Sequence, residues 1–202
     1  MTWVDRTVRD FVEAVASAEP TPGGGAVAAL AAAFGAALLQ MYALRSAQSP
    51  KIEPDWRSRF PEIACRVAGW KLRALALVDE DVRAFDAVVQ ARRQPKETEA
   101  QRQARAAALR TAILQAAHVP LEVAELCVQV LQACQELVAH GLPSMRSDVQ
   151  TAYAMARAGL VAALANVAIN LEGLDPADVP DTLQARYEAA RQVLTTAPPD
   201  LP

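Results

Sequence analysis

Apolar residues recur at helical spacing along almost the whole chain, and no stretch alternates as a strand would. Val8, Phe11, Val12 and Val15 share one face and predict a first helix. Residues 26–44 are a nearly unbroken apolar run rich in alanine, which suits a helix at the centre of a bundle. The run is long enough to span a bilayer. It contains Gln40, however, and lacks aromatic belts and basic flanks, so no membrane role is expected. Pro50, Pro54 and Pro61 interrupt residues 46–61 and predict a loop or short turns. From Glu62, the positions Ile63, Val67, Trp70, Leu75, Val78, Val82, Phe85 and Val89 predict a helix to about Arg93, punctuated by Gln94-Pro95-Lys96. Thr98-Glu99-Ala100-Gln101 reads as a capping box opening a helix through Leu109, Ile113, Leu121, Leu126, Val130 and Leu137. Pro120 should kink or split that helix near His118. Gly141 is the expected residue just past its end, and Ser147 the expected cap of an apolar helix to about Leu171. Asp175-Pro176 and Asp181-Thr182 start a short last helix that frays into Pro198 and Pro199. The expected fold is all-α, a single-domain helical bundle over residues 1–202 with a central alanine-rich helix.

Composition narrows the function classes. With 52% hydrophobic and 21% charged residues the chain has a core to bury and is not disordered. A net charge of −3 argues against a nucleic-acid partner. Cys65, Cys127 and Cys134 are odd in number and form no CxxC pair, so neither a disulfide framework nor a zinc site is expected. Cys127 and Cys134, seven apart, share a helix face as small buried hydrophobes. Asp5, Arg6, Arg9 and Asp10 leave no room for an apolar signal core, which predicts a reducing cytoplasm.

Candidate chemistry begins at Pro20-Thr21-Pro22-Gly23-Gly24-Gly25. A stiff entry, three glycines and a helix start can bring bare backbone N–H groups against polar ligand atoms. The plainer reading is a tight turn where two backbones pack closely. His140 fits the C-terminal end of a helix, whose dipole it complements, and nothing pairs with His118 in sequence. Ser147 and Asp148 are either a cap with a favourable first-turn charge or a carboxylate at a pocket rim. Asp81 and Phe85 share a helix face, although Asp79, Glu80 and Asp81 could also be a solvated acidic turn. Asn166 and Asn170, four apart in an apolar helix, are either a clamp between helices or a heterocycle-binding pair. No cluster has metal-ligand spacing, so a site free of metal and cofactor is expected.

The order and spacing of these motifs resemble one family. They run from the glycine turn and its alanine-rich helix to Met41, through Asp81-Val82-Arg83-Ala84-Phe85, Pro95-Lys96 and Val119-Pro120-Leu121, to Gly141, Ser147-Asp148-Val149 and Asn166-Val167-Ala168-Ile169-Asn170-Leu171. The chain is similar over most of its length to the formiminotransferase-cyclodeaminase C-terminal domains and the stand-alone methenyltetrahydrofolate cyclohydrolases. Departures from the family pattern fall after Met41, at Leu142-Pro143-Ser144-Met145-Arg146, and at Gln150. The resemblance implies a homodimer acting on a tetrahydrofolate substrate. It would hydrolyse 5,10-methenyltetrahydrofolate, or close 5-formiminotetrahydrofolate with release of ammonia. The sequence carries no transferase domain beside this one, which tilts the expectation towards the cyclohydrolase. The alternative is an inactive helical dimer serving as a binding or scaffold module. The implied catalytic groups are Asp148 first, as proton acceptor, and Asp81 second, as donor. The implied substrate-binding residues are Thr21, Gly23, Gly24, Gly25, Phe85, Lys96, Ser147, Asn166 and Asn170, with Lys96 near Arg92, Arg93 and Arg102 to receive a glutamate tail. If residues 147–171 form one straight helix, Asp148 and Asn166 stand about 27 Å apart along it.

Overall fold

The computed structural model describes residues 2–198 and 201. Met1, Pro199, Asp200 and Pro202 lie outside the described residues, and with them the Pro199 end of the predicted fray. The regular elements among the described residues are all helical. They are α1 (Val8–Val15), α2 (Gly24–Ala47), α3 (Pro54–Arg92), α4 (Glu99–Leu137), α5 (Arg146–Leu171) and α6 (Asp181–Thr196), with short 3-10 turns at Trp3–Asp5, Pro143–Met145 and Pro176–Asp178.

The central helix is α2, packed mainly on α3 and α5, with α4 behind. Its alanines explain how. A methyl group on Gly35 would come within 2.9 Å of the Ala152 carbonyl oxygen, and one on Gly159 within 3.2 Å of the Ala28 carbonyl oxygen. Small residues on both helices let the two backbones approach this closely, and α5 runs antiparallel to α2. Ala28, Ala29, Ala32, Ala36, Ala152, Ala156 and Ala163 are buried in the seam. One face of α2 stays open. Val27, Phe34 and Met41, seven residues apart, are 42%, 52% and 38% exposed, so a helix that is apolar all round is here only partly covered. By length and composition α2, α4 and residues 143–171 could each cross a membrane, yet about half of each apolar window is buried inside the bundle.

Several element boundaries differ from expectation. Helix α3 begins at Pro54, not Glu62, because Pro54 occupies the first helical position, where its missing N–H costs nothing. Pro61 lies inside α3 on an exposed face, where water can serve the carbonyl it leaves free. Helix α4 is continuous through Pro120. The Thr98–Gln101 capping box forms in full. Gly141 does not end α4, whose last residue is Leu137. It is a glycine because any side chain there would overlap the Tyr42 ring, and its N–H donates to the Tyr42 hydroxyl at 2.9 Å. Ser147 does not cap α5 either. Met145 holds the cap position without a side-chain bond, and Ser147 and Asp148 sit in the first turn. His140 follows α4 and stacks on Trp56, with ring centres 3.8 Å apart. Cys127 and Cys134 are buried, which pushes both thiols up to about 12.

Candidate active site

The glycine turn meets α3 and α5 at the N-terminal end of α2. Gly23 is the cap residue and offers no side chain, so the N–H groups of Gly24, Gly25 and Ala26 begin the helix without intrahelical partners. None of the glycines has a positive φ. What they provide is closeness. A methyl group on Gly25 would overlap the Asp81 carboxylate, whose farther oxygen would lie 2.8 Å from it. A methyl group on Gly24 would lie 3.3 Å from Asn166 Nδ2. Three motifs far apart in sequence therefore converge on one turn.

Asp81 is half-buried at this junction. Burial pushes its carboxyl up to about 6, against the lowering effect of a hydrogen bond from the Ala26 backbone N–H. Its two neighbours have other partners. Asp79 is 8% exposed and accepts from the Trp3 backbone N–H at 2.6 Å. Glu80 pairs with Arg73 at 2.9 Å, and Arg73 Nε also donates to Glu122 on α4 at 2.6 Å. The three acidic residues are thus not a solvated turn. Phe85, one turn beyond Asp81 and 36% exposed, offers an apolar surface beside the carboxylate.

Asn166 and Asn170 divide their work. Asn166 Nδ2 donates back to the Ala162 carbonyl at 2.8 Å while its side chain packs over Gly24. Asn170 Nδ2 donates to the Ala116 carbonyl of α4 at 2.7 Å. Thr21 is half-buried in the approach to the turn.

Two sets of expected residues lie elsewhere. Because α5 is unbroken from Arg146 to Leu171, Asp148 is about 27 Å from Asn166 along the helix, so one chain does not bring Asp148 and Ser147 to Asp81. Lys96 is exposed beyond the end of α3, about 16 Å or more from Asp81 along the helix axis. Arg102 is committed to Glu99 and to the Lys96 and Glu97 carbonyls, and Arg105 to the Arg92 carbonyl. The family departures after Met41 and around Leu142 touch each other. The Tyr42 hydroxyl accepts from Gly141 N–H, and Ser46 Oγ accepts from Leu142 N–H at 3.1 Å. They sit at the other end of α2, eighteen residues or about 27 Å from Gly24. Reading the sequence alone missed the Ala26 N–H and the Ala116 carbonyl. Pro120, four residues after Ala116, was the available signal for the second.

Fold and site together define a class: an all-helical protein whose polar site joins a glycine turn at the start of its central helix to one aspartate and one asparagine from neighbouring helices. The formiminotransferase-cyclodeaminase family pattern matches residues 7–189, and the chain belongs to that family. It is 34% identical over 174 residues to the methenyltetrahydrofolate cyclohydrolase of Methylorubrum extorquens, covering 85% of this chain and 82% of that one. It is 38% identical over 170 residues to the formimidoyltransferase-cyclodeaminase of Sus scrofa, covering 83% of this chain but only 31% of that longer protein. The solved structure of a formiminotetrahydrofolate cyclodeaminase from Thermotoga maritima shares the fold, with a TM-score of 0.83 over 96% of this chain and 92% of that one at 24% identity.

Proposed function

We propose that this protein is an enzyme of tetrahydrofolate one-carbon metabolism, acting at the carbon that bridges two nitrogens of the folate. The observation that carries the reading is the seating of Asp81 against Gly25, in a family whose members are named for this chemistry. Hydrolysis of 5,10-methenyltetrahydrofolate is favoured over cyclodeamination of 5-formiminotetrahydrofolate, because the Methylorubrum cyclohydrolase matches along most of its own length.

Either reaction passes through a tetrahedral carbon carrying nitrogen leaving groups. In the hydrolysis, water adds to the bridging carbon and gives up a proton, and the departing nitrogen takes one. A carboxyl near 6 is suited to both transfers at neutral pH. We therefore assign the proton transfers to Asp81. The α2 N-terminal N–H groups and Asn166 would hold polar edges of the substrate, and Phe85 would meet its ring. Lys96, exposed beyond the end of α3, is assigned to the glutamate tail of an extended substrate. Asp148 joins this site only if a second subunit brings it there.

Among the described residues no three His, Cys, Asp or Glu side chains are grouped as metal ligands. We propose that turnover needs neither metal nor cofactor, and that it survives exhaustive chelation. Two copies are proposed to pair through the open face of α2, where Val27, Phe34 and Met41 form a seven-residue stripe beside a groove of about 620 Å³ that α1 helps to line. The proposed setting is the cytoplasm, without membrane or nucleic acid. Purified protein should bleach the absorbance of methenyltetrahydrofolate, or release ammonia from the formimino substrate. Absence of both activities across pH 5.5–8.5 would refute the enzyme and leave the inactive dimer.

A further inference from the structure

We propose that Asn170 is a positioning residue: it supplies the donor that Pro120 removes from α4, and the resulting tie holds Asn166 over the first turn of α2. In a regular α-helix the Ala116 carbonyl accepts from the N–H of residue 120. Pro120 has no N–H, and its ring crowds that same carbonyl. Ala116 and Pro120 are both buried, so water is a poor substitute. The donor comes instead from another helix. Asn170 Nδ2 reaches the Ala116 oxygen at 2.7 Å, a short bond for a neutral amide. This explains why a helix with an interior proline runs unbroken to Leu137.

The bond also fastens the end of α5. Asn170 lies one turn beyond Asn166 on the same helix face. Asn166 in turn lies over Gly24, where an added methyl group would come within 3.3 Å of its Nδ2. Freed from α4, the last turns of α5 could swing, and Asn166 would lose its register over the glycine turn. Asn170 therefore reaches the site through Asn166, not by touching substrate. Its role near the ligand rests on the functional reading above, whereas its pairing with Pro120 does not.

Two mutant cycles separate the parts. Asn170→Ala should favour unfolding about tenfold in a urea titration, from loss of a buried partner. In a Pro120→Ala background the loss should shrink below about threefold, because residue 120 can now donate to Ala116 itself. Asn170→Asp keeps the shape, removes the donor, and should behave as badly as alanine. Should Asn170→Ala alone fail to fold, recovery of folding in the double variant is the same test. An unchanged loss beside Pro120→Ala overturns the pairing. For positioning, Asn170→Ala should raise KM about tenfold even in the Pro120→Ala background, with kcat altered less than threefold, and should add nothing in an Asn166→Ala background. A normal KM in the stabilised double variant, or a full additive effect beside Asn166→Ala, would reduce Asn170 to a fold residue. Complete absence of turnover in the wild-type protein would sink the functional reading instead, and the urea comparison would still decide the pairing.

Discussion

Asp79, Glu80 and Asp81 stand side by side in sequence and meet three different environments, because successive helical residues point about 100° apart. Of the three, Asp81 faces the glycine turn, and burial there pushes its carboxyl up to about 6. Between the usual 3.8 and that value the folded protein holds a proton that the unfolded chain releases. Stability therefore falls as pH rises through this window, and the cost remains in full above it. Asp81→Asn should remove the cost. At pH 7.5 it should unfold later than wild type by on the order of 1–3 kcal/mol in denaturant titrations. Turnover should drop on the order of a hundredfold and lose its rising limb near pH 6. Gly25→Ala tests the same contact from the other side. Its methyl group displaces the carboxylate, so kcat should fall by a similar factor while the far-UV circular dichroism stays helical. Retention of wild-type rates by both variants would remove Asp81 from the chemistry.

Two prolines inside helices show how an element's surroundings set its energetics. Pro61 is exposed on α3, and among the described residues no side chain donates to the carbonyl it orphans, that of Arg57. Pro120 is buried on α4, and Asn170 answers for its missing N–H. Pro61→Ala restores a backbone bond at the cost of a looser unfolded chain. It should raise stability by about 1–2 kcal/mol, read as a higher urea midpoint with an unchanged slope. A loss of stability would mean that the proline shapes α3 where the neighbouring Phe60 packs on Trp56 and Tyr42. The Thr98–Gln101 box is simpler, since both of its bonds lie within one turn and were legible as a motif.

The molecule as a whole buries one flank of α2 and leaves the other apolar and open. Gly35 and Gly159 bring α5 so close that this flank is sealed by backbone. The stripe through Val27, Phe34 and Met41, with exposed Val8 and Val12 on α1 beside it, has no cover within the described chain. If a second copy covers it, Phe34→Glu should convert the sedimenting species from dimer to monomer with little change in helical content. A wild-type protein that sediments as a monomer at micromolar concentration would refute the pairing. The same experiment bears on Asp148, which only a partner subunit could bring to Asp81.

Local patterns in the chain were enough to determine the helical class, the central alanine-rich helix, the capping box and the motif set that marks the family. These depend on spacing and composition over a few residues, where 3.6-residue periodicity and turn chemistry act directly. They also named Asp81, Gly25 and Asn166 as candidates, but could not say that the three meet at one turn, since the contacts from Gly25 to Asp81 and from Gly24 to Asn166 span 56 and 142 residues of chain. Boundaries at Pro54, Pro61 and Pro120 escaped for a related reason. A proline's cost depends on whether its orphaned carbonyl faces water or finds a donor, and for Pro120 that donor is fifty residues away on another helix. Gly141 and Ser147 looked like helix punctuation and are not, because Tyr42 requires the first and the Pro143–Met145 turn enters α5 ahead of the second. The separation of Asp148 from Asp81 likewise followed from α5 staying straight to its end, and packing along α2 decided that.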